Sequence, residues 1–307
     1  MAGSFQARTD LALELRENID KSDSELSGVI VNRQENETKD ITVTSLEITN
    51  EKGSKAMGKP IGTYVTIEAP GLSYGNETYH HEVAQILTKY IKERIDSHKK
   101  RITVLVTGLG NKEITPDALG PLVVENLFIN NHIDEEKEVA LCGIVPGVMA
   151  QTGFETASII KGIVKENKVD YVIAIDALAA RNTSRLNTTI QISDTGITPG
   201  SGVGNHRNAI NGQTIGVPVL AIGVPTVIDT PTIVNDTMNN LLEALEESGY
   251  VNNLNSAYVR LNDAEKYQLI KEVINPEMSG MYVTPKDIDE SIKRISYTIS
   301  EAINNIC

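Results

Sequence analysis

The sequence has no tryptophan, three phenylalanines and two cysteines among 307 residues. With so few aromatics, the core has to be built from aliphatic side chains. Cys142 lies in an apolar run and Cys307 ends the sequence. No disulfide framework is therefore available, which fits a reducing compartment. No apolar run reaches the roughly 18 residues a membrane-spanning helix requires, and no secretory apolar segment opens the sequence. A soluble, cytoplasmic protein without membrane partners is expected. Basic residues are also in deficit: 28 Lys and Arg stand against 41 Asp and Glu, a formal charge of −13. Such a surface repels nucleic acid, so no direct nucleic-acid binding is expected. Several short signatures are missing as well. There is no HExxH, the glycine-rich GITPGSGVGNHR (196–207) lacks the GK[ST] ending of a phosphate loop, and TGLGN is only Gly-x-Gly, short of a dinucleotide fingerprint.

What is present alternates. The runs GVIV, ITVTSLEI and GTYVTIEA between Gly28 and Pro70 have strand composition. They predict an N-terminal β segment, partly antiparallel, with NRQENETKD and NEKGSKAMGKP as polar linkers. Before them, MAGSFQARTDLALELRENI is mixed in character and is expected to be a mobile arm. Tyr79 to Ile95 carries Val83, Ile86, Leu87, Tyr90 and Ile91 at helical spacing. From Ile102 the order is strand, helix from Pro116, apolar run Val139 to Val145, helix near Glu155 to Asn167, and strand Val169 to Ile175. That is βαβαβ order, the pattern of an α/β domain with a mostly parallel sheet. A polar strand around Thr188 to Ile192, a buried strand from Val217 to Val227, and helices capped by Thr230-Pro231 and Thr284-Pro285 follow. The last bears Ile288, Ile292, Ile295, Ile299 and Ile303 as one stripe, which suits either core packing or a subunit contact.

Two aspartates are placed as chemistry would place them. In RITVLVTGLGNKEITPDALG, a buried strand ends in glycines, Thr115 and Pro116 are expected as N-cap and first helical residue, and Asp117 falls in the first turn. An acid there also suits the helix dipole. Asp176 follows the strand VDYVIAI directly. Ligands of open α/β sheets bind outside the carboxyl ends of the strands. If the two strands are neighbours, Asp117 and Asp176 share one crevice. The glycines Gly200, Gly202 and Gly204 offer backbone amides to an oxyanion or substrate, and Arg181 offers a cation to an acidic side chain or to Asp176.

LVTGLGN, TPDALGP, VPGVMAQTGFET, IDALAAR, ITPGSGVGN and AIGVPTVID together resemble the germination protease (spore protease) family of endospore-forming bacteria. The likeness runs from ARTDLALE to beyond Thr230. It implies a three-layer α/β/α sandwich similar to that of the hydrogenase maturation endopeptidases. It also implies an endopeptidase acting on small acid-soluble spore proteins during germination in the spore core, with Asp117 and Asp176 as catalytic pair. The family forms homotetramers and is made as a zymogen that cuts itself at a site like RTD before LA. The resemblance thus implies a propeptide of residues 1–10, a scissile bond between Asp10 and Leu11, and a single domain over residues 11–307.

No cofactor is expected. The alternative is a divalent metal held by the two aspartates and His206, as metal binding in the hydrogenase maturation relatives suggests. A client-binding protein without catalysis and a small-molecule hydrolase on the same scaffold are the remaining alternatives.

Overall fold

The computed structural model describes residues 9–20, 27–36, 40–95, 99–133, 138–200, 207–247, 261, 263–274 and 276–307. Its strands are β1 (Val29–Asn36), β2 (Ile41–Ile48), β3 (Gly62–Glu68), β4 (Ile102–Gly108), β5 (Val139–Ile144), β6 (Tyr171–Ala179), β7 (Thr189–Ser193), β8 (Val219–Asp229) and β9 (Tyr282–Val283). They lie in the order β1-β2-β3-β7-β8-β6-β4-β5, with β9 pairing onto the end of β8. Pairing is parallel across β8, β6, β4 and β5. From β8 back through β7, β3, β2 and β1 it is antiparallel. The protein is thus α/β, as the alternation implied, and the N-terminal strands extend the same sheet.

The helices are α1 (Ala12–Asp20), α2 (Glu51–Met57), α3 (Glu77–Arg94), α4 (Leu119–Glu125), α5 (Met149–Thr152), α6 (Thr156–Asn167), α7 (Gly212–Ile215), α8 (Thr230–Glu247), α9 (Asp263–Val273), α10 (Pro276–Ser279) and α11 (Ile288–Asn304). The two-residue period of the strands sorts them into layers. Val104 and Val106 of β4 join Ile173 and Ile175 of β6 under α3, α4 and α11. Leu105, Val172 and Ala174, one residue out of phase, pack with α6 and α7. On the N-terminal strands Leu46, Ile48 and Tyr64 meet Ala12, Leu15 and Met57 of α1 and α2. The isoleucine stripe of α11 is intramolecular core: Ile292, Ile295, Ile299 and Ile303 are fully buried. Each contributes about 1.5–3 kcal/mol by that burial.

Several expectations are corrected. The segment NRQENETKD is not wholly a linker, because β1 runs to Asn36 in register with β2. As an edge strand whose side chains stay largely exposed, it has no need of apolar alternation. Within NEKGSKAMGKP, Asn50 caps α2 by accepting from the amides of Lys52 and Gly53, and Gly58 ends it at φ +61°. The N-terminal arm is anchored from Leu11, which with Ala12 is fully buried. Thr115-Pro116-Asp117 forms a 3-10 turn, and α4 begins only at Leu119. The cap of α8 is Asp229, whose carboxylate accepts from the Thr232 amide at 3.2 Å. Thr284 donates to the Thr226 carbonyl at 2.8 Å, and α11 starts at Ile288.

Candidate active site

Chain order sends β5 to one side of β4 and β6 to the other, so the carboxyl ends of β4 and β6 flank the crevice where the sheet's winding reverses. Asp117 stands just after β4. The intervening turn is tight: Gly110 has φ +102°, and a Cβ there would lie 2.1 Å from the Asp117 carbonyl oxygen. Gly120 lets α4 settle onto the same turn, since its Cβ would meet Leu109 backbone at 2.4 Å. The Asn111 amide donates to the Asp117 carboxylate at 2.8 Å and to its carbonyl at 3.1 Å. From β8, the Thr226 hydroxyl donates to the Pro116 carbonyl at 2.7 Å and fixes the turn from below. Asp117 is half-buried, and that burial, opposed by the Asn111 amide, raises its pKa to about 6.

Asp176 lies inside β6, which continues to Ala179 because ALA keeps strand geometry against β8. Strand β4 stops opposite Ile175, where the Leu109 amide donates to the Ile175 carbonyl at 2.8 Å. Asp176 is therefore the first residue of β6 beyond the end of its neighbour. It shares the face of Val172 and Ala174, and only 5% of its surface is exposed. Its carboxylate accepts from the Ala177 amide at 3.0 Å. Burial pushes its pKa well above the ordinary carboxylate value, and the charges of Asp117 and Asp10 push it further.

The third carboxylate belongs to the N-terminal segment. Asp10 pairs with the end of β6: its amide donates to the Ala179 carbonyl at 3.0 Å, and its side chain accepts from the Ala179 amide at 2.9 Å. Its own carbonyl accepts from Lys59 Nζ at 3.0 Å and Gln191 Nε2 at 3.2 Å. The chain after Asp10 is then clamped. Glu14 accepts from the amides of Arg181 and Asn182, both at 2.8 Å, and from the Thr9 hydroxyl. The buried Arg185 grips Glu17 through two 2.7 Å bonds, meets Glu68 at 3.0 Å, and lies 3.6 Å from Glu14.

A cavity of about 480 Å³ is lined by Asp10, Asp117 and Asp176, with Leu178, Gly200 and Arg207 among the other residues on its wall. The structure thus brings together both aspartates proposed from the sequence, the residue before the proposed scissile bond, and the first glycine of the 200–204 loop. Gly202, Gly204 and His206 lie outside the described residues. Arg181 does not line this cavity and contributes its backbone amide to Glu14; Asp176 makes no ion pair among the described residues. Sequence reasoning missed Lys59, Gln191 and Arg185. Lys59 follows a helix-ending glycine in a polar run, and Gln191 sits in a strand with only two apolar residues, so neither carried a local signal.

The sequence matches the model of the germination protease family over residues 6–257. Among curated proteins, the germination protease of Caldanaerobacter subterraneus subsp. tengcongensis is 47% identical over 305 residues, covering 97% of this chain and 93% of that protein. That of Clostridium tetani is 44% identical over 315 residues, covering 98% and 95%. That of Bacillus cereus is 39% identical over 345 residues, covering 98% and 93%.

Proposed function

The chain belongs to the germination protease family, an endopeptidase family of spore germination, and from that premise we propose that it cuts small acid-soluble spore proteins and first cuts itself between Asp10 and Leu11. The observation that carries this reading is the single cavity shared by Asp10, Asp117 and Asp176. Two carboxylates in one desolvated site do not both ionise readily, and the environments of these two set their roles apart. Asp117 is less buried and holds a 2.8 Å amide bond, so it ionises first and is the base that takes a proton from water. Asp176, buried beside two other carboxylates, keeps its proton and is the acid. The pair titrates as a unit. Cleavage is expected to rise as pH passes about 6 and to fall where the second proton is lost, measured as a pH–rate profile of chain shortening.

The working form is proposed to be a homotetramer in the spore core, with no metal in the reaction. The test is to incubate the intact chain, Asp117→Asn and Asp176→Asn, each with and without a strong chelator, and to follow mass loss at Asp10–Leu11 and cleavage of an added small acid-soluble spore protein. Loss in both variants with indifference to the chelator supports the pair. Cleavage that persists in both folded variants sinks it. Activity removed by the chelator and restored by a divalent ion moves the chemistry to a metal. Sedimentation of the matured chain as anything other than four subunits overturns the tetramer.

A further inference from the structure

Gln191 spans the peptide bond between Asp10 and Leu11. Its Nε2 donates to the Asp10 carbonyl at 3.2 Å, while its Oε1 accepts from the Ala12 amide at 2.7 Å. Lys59 adds a second donor to the same carbonyl at 3.0 Å. Both side chains are held from behind. Gln191 lies in the middle of β7, 9% exposed. Lys59 follows Gly58 at the end of α2, and its carbonyl accepts from the Ser54 hydroxyl at 2.8 Å. Among the described residues no carboxylate oxygen lies within ion-pair distance of the Lys59 ammonium, although Asp10 is near enough to act on it through its charge. Burial holds the lysine's pKa below its ordinary value against that charge. The ammonium is aimed at a backbone carbonyl in a desolvated place, where a fixed positive charge acts most strongly on developing negative charge.

We propose that Lys59 and Gln191 are the oxyanion donors for hydrolysis of the Asp10–Leu11 bond. The assignment rests on the reading that this bond is cut by the aspartate pair. Water loses one proton to the Asp117 carboxylate and its oxygen bonds to the Asp10 carbonyl carbon. The electron pair of the C=O π bond moves to oxygen, where the ammonium and the amide hold it. When the C–N bond breaks, the Leu11 nitrogen takes the proton of Asp176, leaving a carboxyl group on Asp10 and an amine on Leu11. Carbonyl polarisation, a task otherwise left to the protonated aspartate, passes to Lys59 and Gln191. Asp176 then has one task, protonating the leaving nitrogen. After residues 1–10 depart, the same two donors face the next scissile carbonyl that enters.

Lys59→Met, Lys59→Arg and Gln191→Leu in the full chain test this, with chain shortening followed by intact mass. Removal of one preorganised oxyanion donor costs about 10²–10³ in rate. Lys59→Met and Gln191→Leu are expected to slow shortening by about that factor, with Lys59→Arg recovering part of the loss. Docking is read separately, as hydrogen-exchange protection of the Ala179 amide in an Asp176→Asn background where no cutting occurs. Protection that survives Lys59→Met, with the rate lost, supports the oxyanion role. Rate and protection lost together reduce Lys59 to a clamp and overturn it, as does shortening of Lys59→Met and Gln191→Leu at the wild-type rate. A wild-type chain that never shortens sinks the self-cleavage reading itself, and the oxyanion assignment with it.

Discussion

Asp117 and Asp176 are held in the site against their own stability. Between the ordinary value of 3.8 and about 6, the folded chain keeps a proton on Asp117 that the unfolded chain releases. Stability therefore falls as pH rises through that window. Asp176 acts with the same sign, since burial and its carboxylate neighbours also raise its pKa. Asp117→Asn is expected to stabilise the fold at pH 8 on the order of 1–3 kcal/mol, a gain that fades towards pH 4. Thermal melts of both proteins at the two pH values check it. The opposite holds for Gly110→Ala. At φ +102°, with the new methyl 2.1 Å from the Asp117 carbonyl, the turn has to open. A loss on the order of 1–3 kcal/mol in the urea midpoint, with cleavage reduced along with it, is expected.

At the scale of elements, α1 decides whether Asp10 is presented to the cavity. Its apolar side chains are buried against β2, β3 and α2, and its acidic face closes on Arg185. Arg185→Met strands Glu14 in a buried place and costs on the order of 3 kcal/mol. Faster protease nicking within residues 11–20 and slower cleavage at Asp10–Leu11 are the expected readings. The central order of strand and helix was legible because β4, β6 and β8 are buried on both faces and therefore written as largely apolar runs. Asp176 was legible for the same reason, being the first acid past such a run, and Asp117 because Thr115 and Pro116 mark a helical start just after one. Edge strand β1 was not, because exposed side chains are free to be polar. Lys59 and Gln191 were not legible either. They act across the sheet on a backbone carbonyl far away in sequence, and a contact of that kind leaves no spacing to recognise. Arg185 escaped for a related reason, since its three glutamates come from α1 and β3.

For the molecule as a whole, the change from parallel to antiparallel pairing at β8 matters more than the number of strands. Beyond β8 the added strands bring Lys59 and Gln191 into one cavity with Asp10, while the parallel half brings Asp117 and Asp176 into another that Asp10 also lines. At a charge of −13 the molecule is expected not to retard duplex DNA in a gel at about 0.15 M salt, where screening reaches within about 8 Å. A shift there would overturn the view that it meets its substrates as proteins and leaves the DNA alone. The seat of Asp10 on the Ala179 amide has one more consequence. Were the bond cut as proposed, Asp10 would end in two carboxylates, its own and a newly made one, beside Asp117 and Asp176, which already disfavour each other's charge. Its neighbour Leu11 would stay behind, buried and fastened by the helix that follows it. Severed ends that repel their surroundings on one side and are riveted on the other would not rejoin, so the proposed maturation would behave as a ratchet, with the released fragment's own charge acting as the pawl.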